Sequence, residues 1–249
     1  MITRIIHFER IDSTNSEAHR LAGQGKRGPI WIRADEQTGG RGRLGRAWIS
    51  QPGNLHATFL FTIAGGQEIA AQASFVAALA VYDLVRALLP HVKPLIKWPN
   101  DVLIGGAKFC GLLAEVAAHN PTMIALGCGI NVAHAPGDTP YPVTALARHG
   151  AMPELGLLLD ELDARLSNRL AIWDEGRGFA AIRADWMALA AGLNEAAVAV
   201  LGETEIHGVV RGLAADGALI LELADGNRQH IHAGEVRFAA IEALRNNHR

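Results

Sequence analysis

The densest chemical signal in the sequence is a run of glycine and arginine, GGRGRLGR, between residues 39 and 46. Glycine lets backbone N–H groups approach an anion closely, and a positive φ forms concave nests of such donors. The side chains of Arg41, Arg43 and Arg46 add planar donors that fit carboxylates and phosphates. The run predicts a loop that binds a phosphate or an adenylate, although it matches neither a Walker loop nor a dinucleotide fingerprint. A flexible, solvated basic loop is the alternative.

A second signal is Lys97-Trp98-Pro99-Asn100-Asp101, which is followed by Lys108 after a Gly-Gly turn. A lysine on a strand beside a hairpin can be aimed at a negative charge that develops during a reaction. Asn100 and Asp101 offer oxygen ligands for a nucleotide or a Mg²⁺ ion. Pro-Asn-Asp is also good turn chemistry, so a surface turn remains open.

Two weaker signals occur elsewhere in the chain. Residues 12–15, DSTN, suit small polar ligand atoms at a helix start, but they also suit simple helix capping. Residues 127–131, GCGIN, place glycines within a strand, which is typical either of close approach by a ligand or of a tightly packed sheet.

The composition predicts a folded, soluble and cytoplasmic protein. Hydrophobic residues make up 49% of the 249 residues, charged residues make up 19%, and the formal net charge is −2. This balance argues against a general electrostatic affinity for DNA, RNA or anionic lipid. Cys110 and Cys128 are too few for a disulfide framework. The most apolar stretch, residues 75–89, contains two charges and is shorter than the roughly 20 residues that a membrane span needs.

The pattern of elements predicts an α+β fold, with helices packed on one face of a mainly antiparallel sheet. Thr14 and Glu17 have the spacing of a capping box and Gly23 that of a C-cap, which predicts a short helix between them. Further helices are expected over 67–89, 153–173 and 179–189. Strands are expected over 4–11, 29–35, 55–63, 95–98, 102–104, 108–117 and 123–132.

The character of the sequence changes after Gly192. Four short strands, over 197–201, 205–213, 218–223 and 228–232, alternate with turn sequences, which is typical of a small β-barrel. We therefore divide the chain into a larger N-terminal domain over 1–192 and a C-terminal β-barrel over 193–249.

Taken together, five segments resemble those of the biotin–protein ligases, that is, the biotin–[acetyl-CoA-carboxylase] ligases. They are DSTN at 12–15, EQTGGRGRLGRAW at 36–48, KWPNDV at 97–102, KFCGLLAE at 108–115 and GCGINV at 127–132. They occur in the family's order and spacing, and the resemblance covers the whole chain. It implies that 1–192 is a catalytic, biotin- and ATP-binding domain with the class II synthetase-like fold of biotin and lipoate ligases, and that an SH3-like barrel follows it.

The resemblance implies a two-step reaction. Biotin is activated by MgATP to biotinyl-5′-AMP, and the biotinyl group then passes to a lysine of a biotin carboxyl carrier protein domain of acetyl-CoA carboxylase or a related carboxylase. ATP and Mg²⁺ are the implied cofactors and biotin is a substrate. No protein ligand for the metal is assigned, because Mg²⁺ enters with ATP.

The resemblance also implies functional roles for the residues at positions that match the family's motifs. The residues matched to catalysis are Lys108, Arg41 and Arg43. Those matched to the biotin site are Ser13, Thr14, Asn15, Gln37, Gly40, Arg41, Gly42, Arg43, Lys108 and Gly111. Those matched to the ATP side are Arg43, Arg46, Trp48, Asn100, Asp101 and Asn131.

Other functions and partners stay open at this point. A lipoate–protein ligase shares the fold and the adenylate chemistry, although the GRGRLGR and KWPND runs favour biotin. A non-catalytic nucleotide- or RNA-binding module is a rival of another class, which the near-neutral charge disfavours. The ligase pattern begins almost at Met1, so we expect no DNA-binding domain and no DNA partner. A homodimer remains open, as do the carrier protein and the role of the barrel.

Overall fold

The computed structural model describes residues 3–137 and 139–238, and it contains one large and one small β-sheet. The strands of the large sheet are β1 (Arg4–Ile11), β2 (Ile30–Gln37), β3 (Leu55–Thr62), β4 (Leu95–Lys97), β5 (Asp101–Ile104), β6 (Ala107–His119) and β7 (Thr122–Ile130). They lie in the order β1-β2-β3-β7-β6-β5-β4. Only β1 and β2 pair in parallel, so the prediction of a mainly antiparallel sheet is confirmed.

Four α-helices within the described residues accompany this sheet. They are α1 (Thr14–Gly23), α2 (Gln72–Leu88), α3 (Leu155–Trp173) and α4 (Phe179–Ala188). The predicted start of α2 at residue 67 is wrong, because Gln67–Ile69 forms a separate 3-10 turn before the helix.

The predicted capping box of α1 is also wrong. Ser13 is the N-cap, and its Oγ accepts a hydrogen bond from the Ser16 N–H at 3.4 Å. The Thr14 hydroxyl instead faces Gln37 and Thr58, while Glu17 pairs with Arg20. The side chain that the sequence assigned to capping therefore belongs to the interior of the fold.

Both faces of the large sheet are covered. On β2, Trp31 joins the main core beneath α2, α3 and α4, whereas Ile30 and Ile32 join a smaller core with α1. The prediction of helices on one face therefore holds for the three later helices, and α1 is the exception. Neighbouring side chains on a strand point to opposite faces. Three consecutive apolar residues on β2 can therefore contribute to the cores on both faces of the sheet.

Helix α2 is the most apolar element of the core. By length and apolarity the segment Gln67–Leu88 could cross a membrane, yet 61% of its most apolar window is buried within the fold. Its Asp83 accepts hydrogen bonds from Arg169 of α3 at 2.7 and 3.0 Å. The apolar surface of α2 therefore packs against the sheet and the other helices.

The small sheet is antiparallel throughout. Its strands are β8 (Ala196–Leu201), β9 (Thr204–Leu213), β10 (Leu219–Glu222), β11 (Arg228–Ile231) and β12 (Glu235–Phe238), in the order β11-β10-β9-β8-β12. Four of these strands were predicted, and β12 was missed. The predicted division at 192/193 stays a prediction, and residues 239–249 of the second unit lie outside the described residues.

The small sheet is joined to the rest of the protein by buried contacts. Val236 and Phe238 of β12 belong to the main hydrophobic core. The Trp98 indole N–H donates to the Gly217 carbonyl at 3.2 Å. These contacts bring β12 to the rim of the cavity described next.

Candidate active site

A cavity of about 520 Å³ gathers side chains that are far apart in the sequence. Its lining includes thirteen of the residues singled out from the sequence: Ser13, Thr14, Asn15, Gln37, Arg41, Gly42, Arg43, Arg46, Trp48, Asn100, Asp101, Lys108 and Gly111. Gly40 and Asn131 lie outside this lining. The N-terminus of α1, the 38–51 loop, the β5–β6 hairpin and β12 all contribute to the cavity.

The floor of the cavity is made by two glycines on neighbouring strands. Gly111 of β6 pairs with Gly129 of β7, and the Trp48 indole lies over both. A Cβ atom would come within 2.5 Å of the indole at Gly129 and within 2.9 Å at Gly111. Side chains are therefore excluded here because an aromatic ring approaches the backbone closely.

A β-bulge explains how Lys108 reaches the same cavity as Gly111. Val102 of β5 pairs with Cys110, but the next residue, Leu103, pairs with Lys108, so Phe109 is the extra residue. Lys108 and Gly111 are three residues apart and would face opposite sides of a regular strand. The bulge turns the lysine back into the cavity, a known use of bulges beside active sites.

The Lys108 ammonium is held by a carboxylate and two rings. Its Nζ lies 2.7 Å from Asp101 Oδ1 and 5.4 Å from the ring centroids of both Trp48 and Tyr141. Burial alone would lower the pKa of Lys108, but the charge of Asp101, its hydrogen bond and the contribution of Tyr141 together outweigh burial, and the pKa is raised. Lys108 is therefore a fixed positive charge at neutral pH.

The arginine loop is attached at both ends. Arg41 donates to Ser16 Oγ at 2.7 Å and to Glu115 Oε2 at 3.2 Å. At the other end, Arg46 forms an ion pair with Glu235 of β12. Between them, the Arg43 guanidinium lies 5.8 Å from the centroid of the Trp98 ring. The loop is thus a cover for the cavity, tied to α1 and β6 on one side and to the small sheet on the other.

A polar network occupies the α1 end of the cavity. Gln37 Oε1 accepts from the Thr14 backbone N–H at 2.8 Å and from the Thr14 hydroxyl at 3.1 Å. The Thr58 hydroxyl lies 2.7 Å from Asn15 Oδ1, and Asn15 Nδ2 donates to Glu115 Oε2 at 2.7 Å. These groups offer fixed donors and acceptors to a small polar ligand group.

Residues 7–131 match the model of the biotin/lipoate A/B protein ligase family, and residues 196–238 match that of the biotin protein ligase C terminal domain. The chain is 44% identical to the biotin–[acetyl-CoA-carboxylase] ligase of Paracoccus denitrificans, over 92% of this chain and 98% of that protein. The chain belongs to the biotin/lipoate A/B protein ligase family.

Two further comparisons agree with this assignment. The biotin–[acetyl-CoA-carboxylase] ligase of Mycobacterium tuberculosis is 32% identical over 90% of this chain and 85% of that one. The biotin protein ligase of Aquifex aeolicus, solved in complex with biotin and ATP, superposes with a TM-score of 0.81 at 28% identity, covering 96% of this chain and all of that one. The expected ligase fold, with its C-terminal β-unit, is confirmed.

Gly40 and Asn131, the two predicted residues outside the lining of this ligase, form hydrogen bonds within segments next to the cavity. The Gly40 carbonyl accepts from the Trp48 backbone N–H at 2.9 Å, which closes the loop on itself. Asn131 donates through Nδ2 to the Thr144 carbonyl at 3.1 Å. Their assigned contacts with biotin and ATP stay predictions.

Several residues of the ligase cavity and its network were not assigned roles from the sequence. Glu115 lies within the KFCGLLAE run and Lys97 within the KWPND run. Their positions in these two runs are the sequence feature that could have identified them. Thr58 and Glu235 carry no local signal, because their relevance depends on contacts with distant parts of the chain.

His56 is a further lining residue with no sequence signal. It is buried, and burial lowers its pKa. Its Nε2 lies 3.3 Å from the Gln51 carbonyl, which can only accept, so Nε2 carries the hydrogen of the neutral ring.

Proposed function

We propose that this chain catalyses ATP-dependent activation of biotin to biotinyl-5′-AMP and transfer of the biotinyl group to a carrier lysine. The supporting observation is the convergence of the loop arginines, Lys108 and the α1 polar network on one cavity of about 520 Å³. The 44% identity to the Paracoccus ligase across nearly its whole length favours the same substrates.

The charge of the cavity suits the first step. The reaction brings the anionic carboxylate of biotin to the anionic α-phosphate of ATP, so cations must offset the repulsion. Among the described residues, the lining carries six cations and two carboxylates: Arg41, Arg43, Arg46, Lys97, Lys108 and Arg237, against Asp101 and Glu235. This excess of positive charge lowers the energy of the anionic transition state.

We assign the central contact to Lys108. Its ammonium would lie between the biotin carboxylate and the α-phosphate and stabilise the charge that builds at phosphorus. Arg41 and Arg43 would close over the intermediate. The rings of Trp48 and Tyr141 and the partner Asp101 limit where Nζ can move, which keeps the cation in place before substrates arrive.

The polar network at α1 is assigned to biotin. Ser13, Thr14, Asn15 and Gln37 provide donors and acceptors for the ureido and carboxylate groups. Gly40, Gly42 and Gly111 complete the biotin assignment as backbone that allows close approach, and Trp48, Arg46, Asn100 and Asn131 complete the ATP side. In the second step, the carrier amine attacks the acyl carbon, loses a proton, and AMP leaves.

Asp101 and Asn100 fit the Mg²⁺ that accompanies ATP. Mg²⁺ prefers oxygen ligands, and Asp101 is a carboxylate of the lining. Asn100 uses Nδ2 to bond the Leu112 carbonyl, which leaves its amide oxygen available. The ion supplies charge neutralisation at the phosphates.

A closed arginine loop also protects the intermediate. A mixed anhydride hydrolyses in water, so a cover that excludes solvent preserves it until the carrier arrives. Glu235 and Glu115 give the loop one attachment on each side.

The expected partner is the biotin carboxyl carrier protein domain of acetyl-CoA carboxylase or a related carboxylase. We expect no DNA or membrane partner, given the net charge of −2, and a cytoplasmic location, given two unpaired buried cysteines. The edge strand β1 is where a homodimer would form, since the outer edge of β4 is bonded to Leu189 and Ala191.

The test is mass spectrometry of a purified carrier domain incubated with the protein, MgATP and biotin. We expect a mass increase of one biotinyl group that requires both ATP and biotin. A parallel reaction with lipoate separates the two substrate classes. Transfer of lipoate with none of biotin, or no transfer of either, would overturn the proposal.

A further inference from the structure

Two buried polar atoms at the floor of the cavity lack hydrogen-bond partners within the described residues. They are Nε1 of Trp48 and Nδ1 of His56, and both residues line the cavity. The indole Nε1 carries a hydrogen and can only donate. A buried polar atom without a partner is unfavourable, because it has given up its bonds to water. A contact that satisfied both atoms at once would therefore stabilise this part of the site.

The protonation state of His56 makes its Nδ1 an acceptor. Nε2 lies 3.3 Å from the Gln51 carbonyl, which can only accept, so the ring hydrogen is on Nε2. Burial lowers the pKa of His56, which keeps the ring neutral at neutral pH and leaves a lone pair on Nδ1. The acceptor on His56 thus complements the donor on Trp48.

The order of the strands places the two atoms side by side. His56 of β3 pairs with Gly129 of β7, which pairs with Gly111 of β6, so all three residues face the same side of the sheet. A Cβ on Gly111 would lie 2.9 Å from Cζ3 of the Trp48 indole, and one on Gly129 would lie 2.8 Å from Nε1. The N–H edge of the indole is therefore the edge nearer to β3 and to His56.

We propose that His56 is a positioning residue for Trp48, and that the indole N–H donates to His56 Nδ1 when a ligand lies on the ring. This inference rests on the proposed function, in which Trp48 belongs to the ATP side of the cavity. No hydrogen bond joins the two atoms in this structure, so the indole must move along the floor to form one. Gly111 and Gly129 permit that movement, because neither carries a side chain that would block the ring.

The bond would fix more than one ring. The centroid of the Trp48 ring lies 5.4 Å from Lys108 Nζ, so a fixed indole also limits the movement of the ammonium. His56 contacts the loop as well, since its Nε2 bonds the carbonyl of Gln51, three residues after Trp48. His56 therefore connects β3 both to the indole and to the segment that follows it.

The direct test is NMR of protein labelled with ¹⁵N at tryptophan and histidine, with and without a non-hydrolysable analogue of biotinyl-5′-AMP. A hydrogen bond between two nitrogens transmits a scalar coupling between them. We expect this coupling between Trp48 Nε1 and His56 Nδ1 in the complex, with the Trp48 signal assigned by its absence in Trp48→Phe. The indole of Trp186 is the control and should show none, since it too is buried without a partner in the described part of the chain.

Enzyme kinetics supply a second measurement. His56→Phe removes the acceptor, and we expect the KM for ATP to rise by about three- to tenfold in a variant shown to be folded by thermal unfolding. His56→Asn should recover most of the loss, because its side-chain oxygen can accept near the position of Nδ1. In Trp48→Phe, adding His56→Phe should have little further effect, since the donor is already absent.

Three outcomes would count against the inference. Binding of the analogue without a coupling between these two nitrogens, as when a water bridges them, would overturn it. An unchanged KM for ATP in folded His56→Phe would overturn it as well. Wild-type protein that binds no analogue would refute the proposed function, and this inference with it.

Discussion

Lys108 and Asp101 form a close ion pair at the centre of the cavity, with 2.7 Å between Nζ and Oδ1. The side chains are only 15% and 18% exposed, so either charge left alone would be poorly solvated. Breaking such a pair by removing one partner is destabilising because the other charge stays behind. Lys108 therefore affects both the reaction and the stability of the fold.

Substitution of Lys108 by Met should affect both properties. Biotin-dependent exchange of pyrophosphate into ATP should fall by about 100-fold or more, since a cation at the reacting phosphorus is lost. The free energy of unfolding should fall by about 1–3 kcal/mol, because Asp101 loses its partner. Urea denaturation measures the second effect.

A double variant separates the two effects. Adding Asp101→Asn to Lys108→Met removes the unpaired charge and should restore most of the stability while leaving exchange low. Exchange at the wild-type rate in either variant would refute the role of Lys108.

The sequence predicts the individual segments of this site well, because glycine, proline and arginine have strong local effects. The strand over 4–11 has the predicted bounds, and the GGRGRLGR run is the loop over the cavity. What it does not predict is the orientation of single side chains. Lys108 faces the cavity only because of the bulge at Phe109, and Thr14 turns inward only because Ser13 caps the helix.

The sequence also does not predict which distant segments come into contact. Glu235 meets Arg46 across 189 positions, on a strand of four residues that was not predicted. Glu115 acts through Asn15 and Arg41, which approach it from different elements. Such positions have ordinary composition, and only packing gives them significance.

Gly129→Ala tests the floor of the cavity. The added Cβ would lie 2.5 Å from Trp48 Cε2, so the indole must move and the surface beneath the ligand changes. Because Trp48 is assigned to the ATP side, we expect the KM for ATP to rise by about 10-fold or more, measured by carrier biotinylation. Gly23→Ala is the control, since a Cβ there meets nothing within 4 Å. Equal KM values for the two variants would contradict the account of the floor.

Glu235→Gln tests the attachment of the loop to the small sheet. The Arg46 side chain is 51% exposed, so loss of the ion pair should change stability by less than about 1 kcal/mol. The loop should nevertheless open more often, and biotinyl-5′-AMP should dissociate about three- to tenfold faster. The measurement is dissociation of the labelled intermediate by filter binding. Glu203→Gln, in an exposed turn of the same sheet, is the control, and equal dissociation rates in both would argue against the attachment.

Glu115 should give the loop a pH-dependent contribution to stability. Burial would raise the pKa of Glu115, but hydrogen bonds from Asn15 and Arg41 and the charge of Arg41 outweigh it, so the folded-state pKa lies below the ordinary 4.5. The contribution is therefore present above about pH 4.5 and lost as the pH falls through the folded-state value.

Substitution of Glu115 by Gln should lower the Tm by about 2–4 °C at pH 7, which corresponds to roughly 1 kcal/mol for a chain of this size. The difference from wild type should shrink as the pH is lowered below 4.5. Glu195→Gln, at an exposed position without a side-chain partner among the described residues, should show no such trend. A Tm difference independent of pH would rule out the ionised Glu115 as the anchor.

The central claim, that the cavity makes and retains an activated acid, is tested most directly by analysing what stays bound after a single turnover. The protein is incubated with biotin and MgATP without any carrier, separated from free nucleotide, denatured, and the released ligand identified by mass spectrometry. The account predicts about one equivalent of biotinyl-5′-AMP per chain, released as AMP only when a carrier domain is added. Recovery of unreacted biotin and ATP alone, from protein shown to be folded, would contradict it.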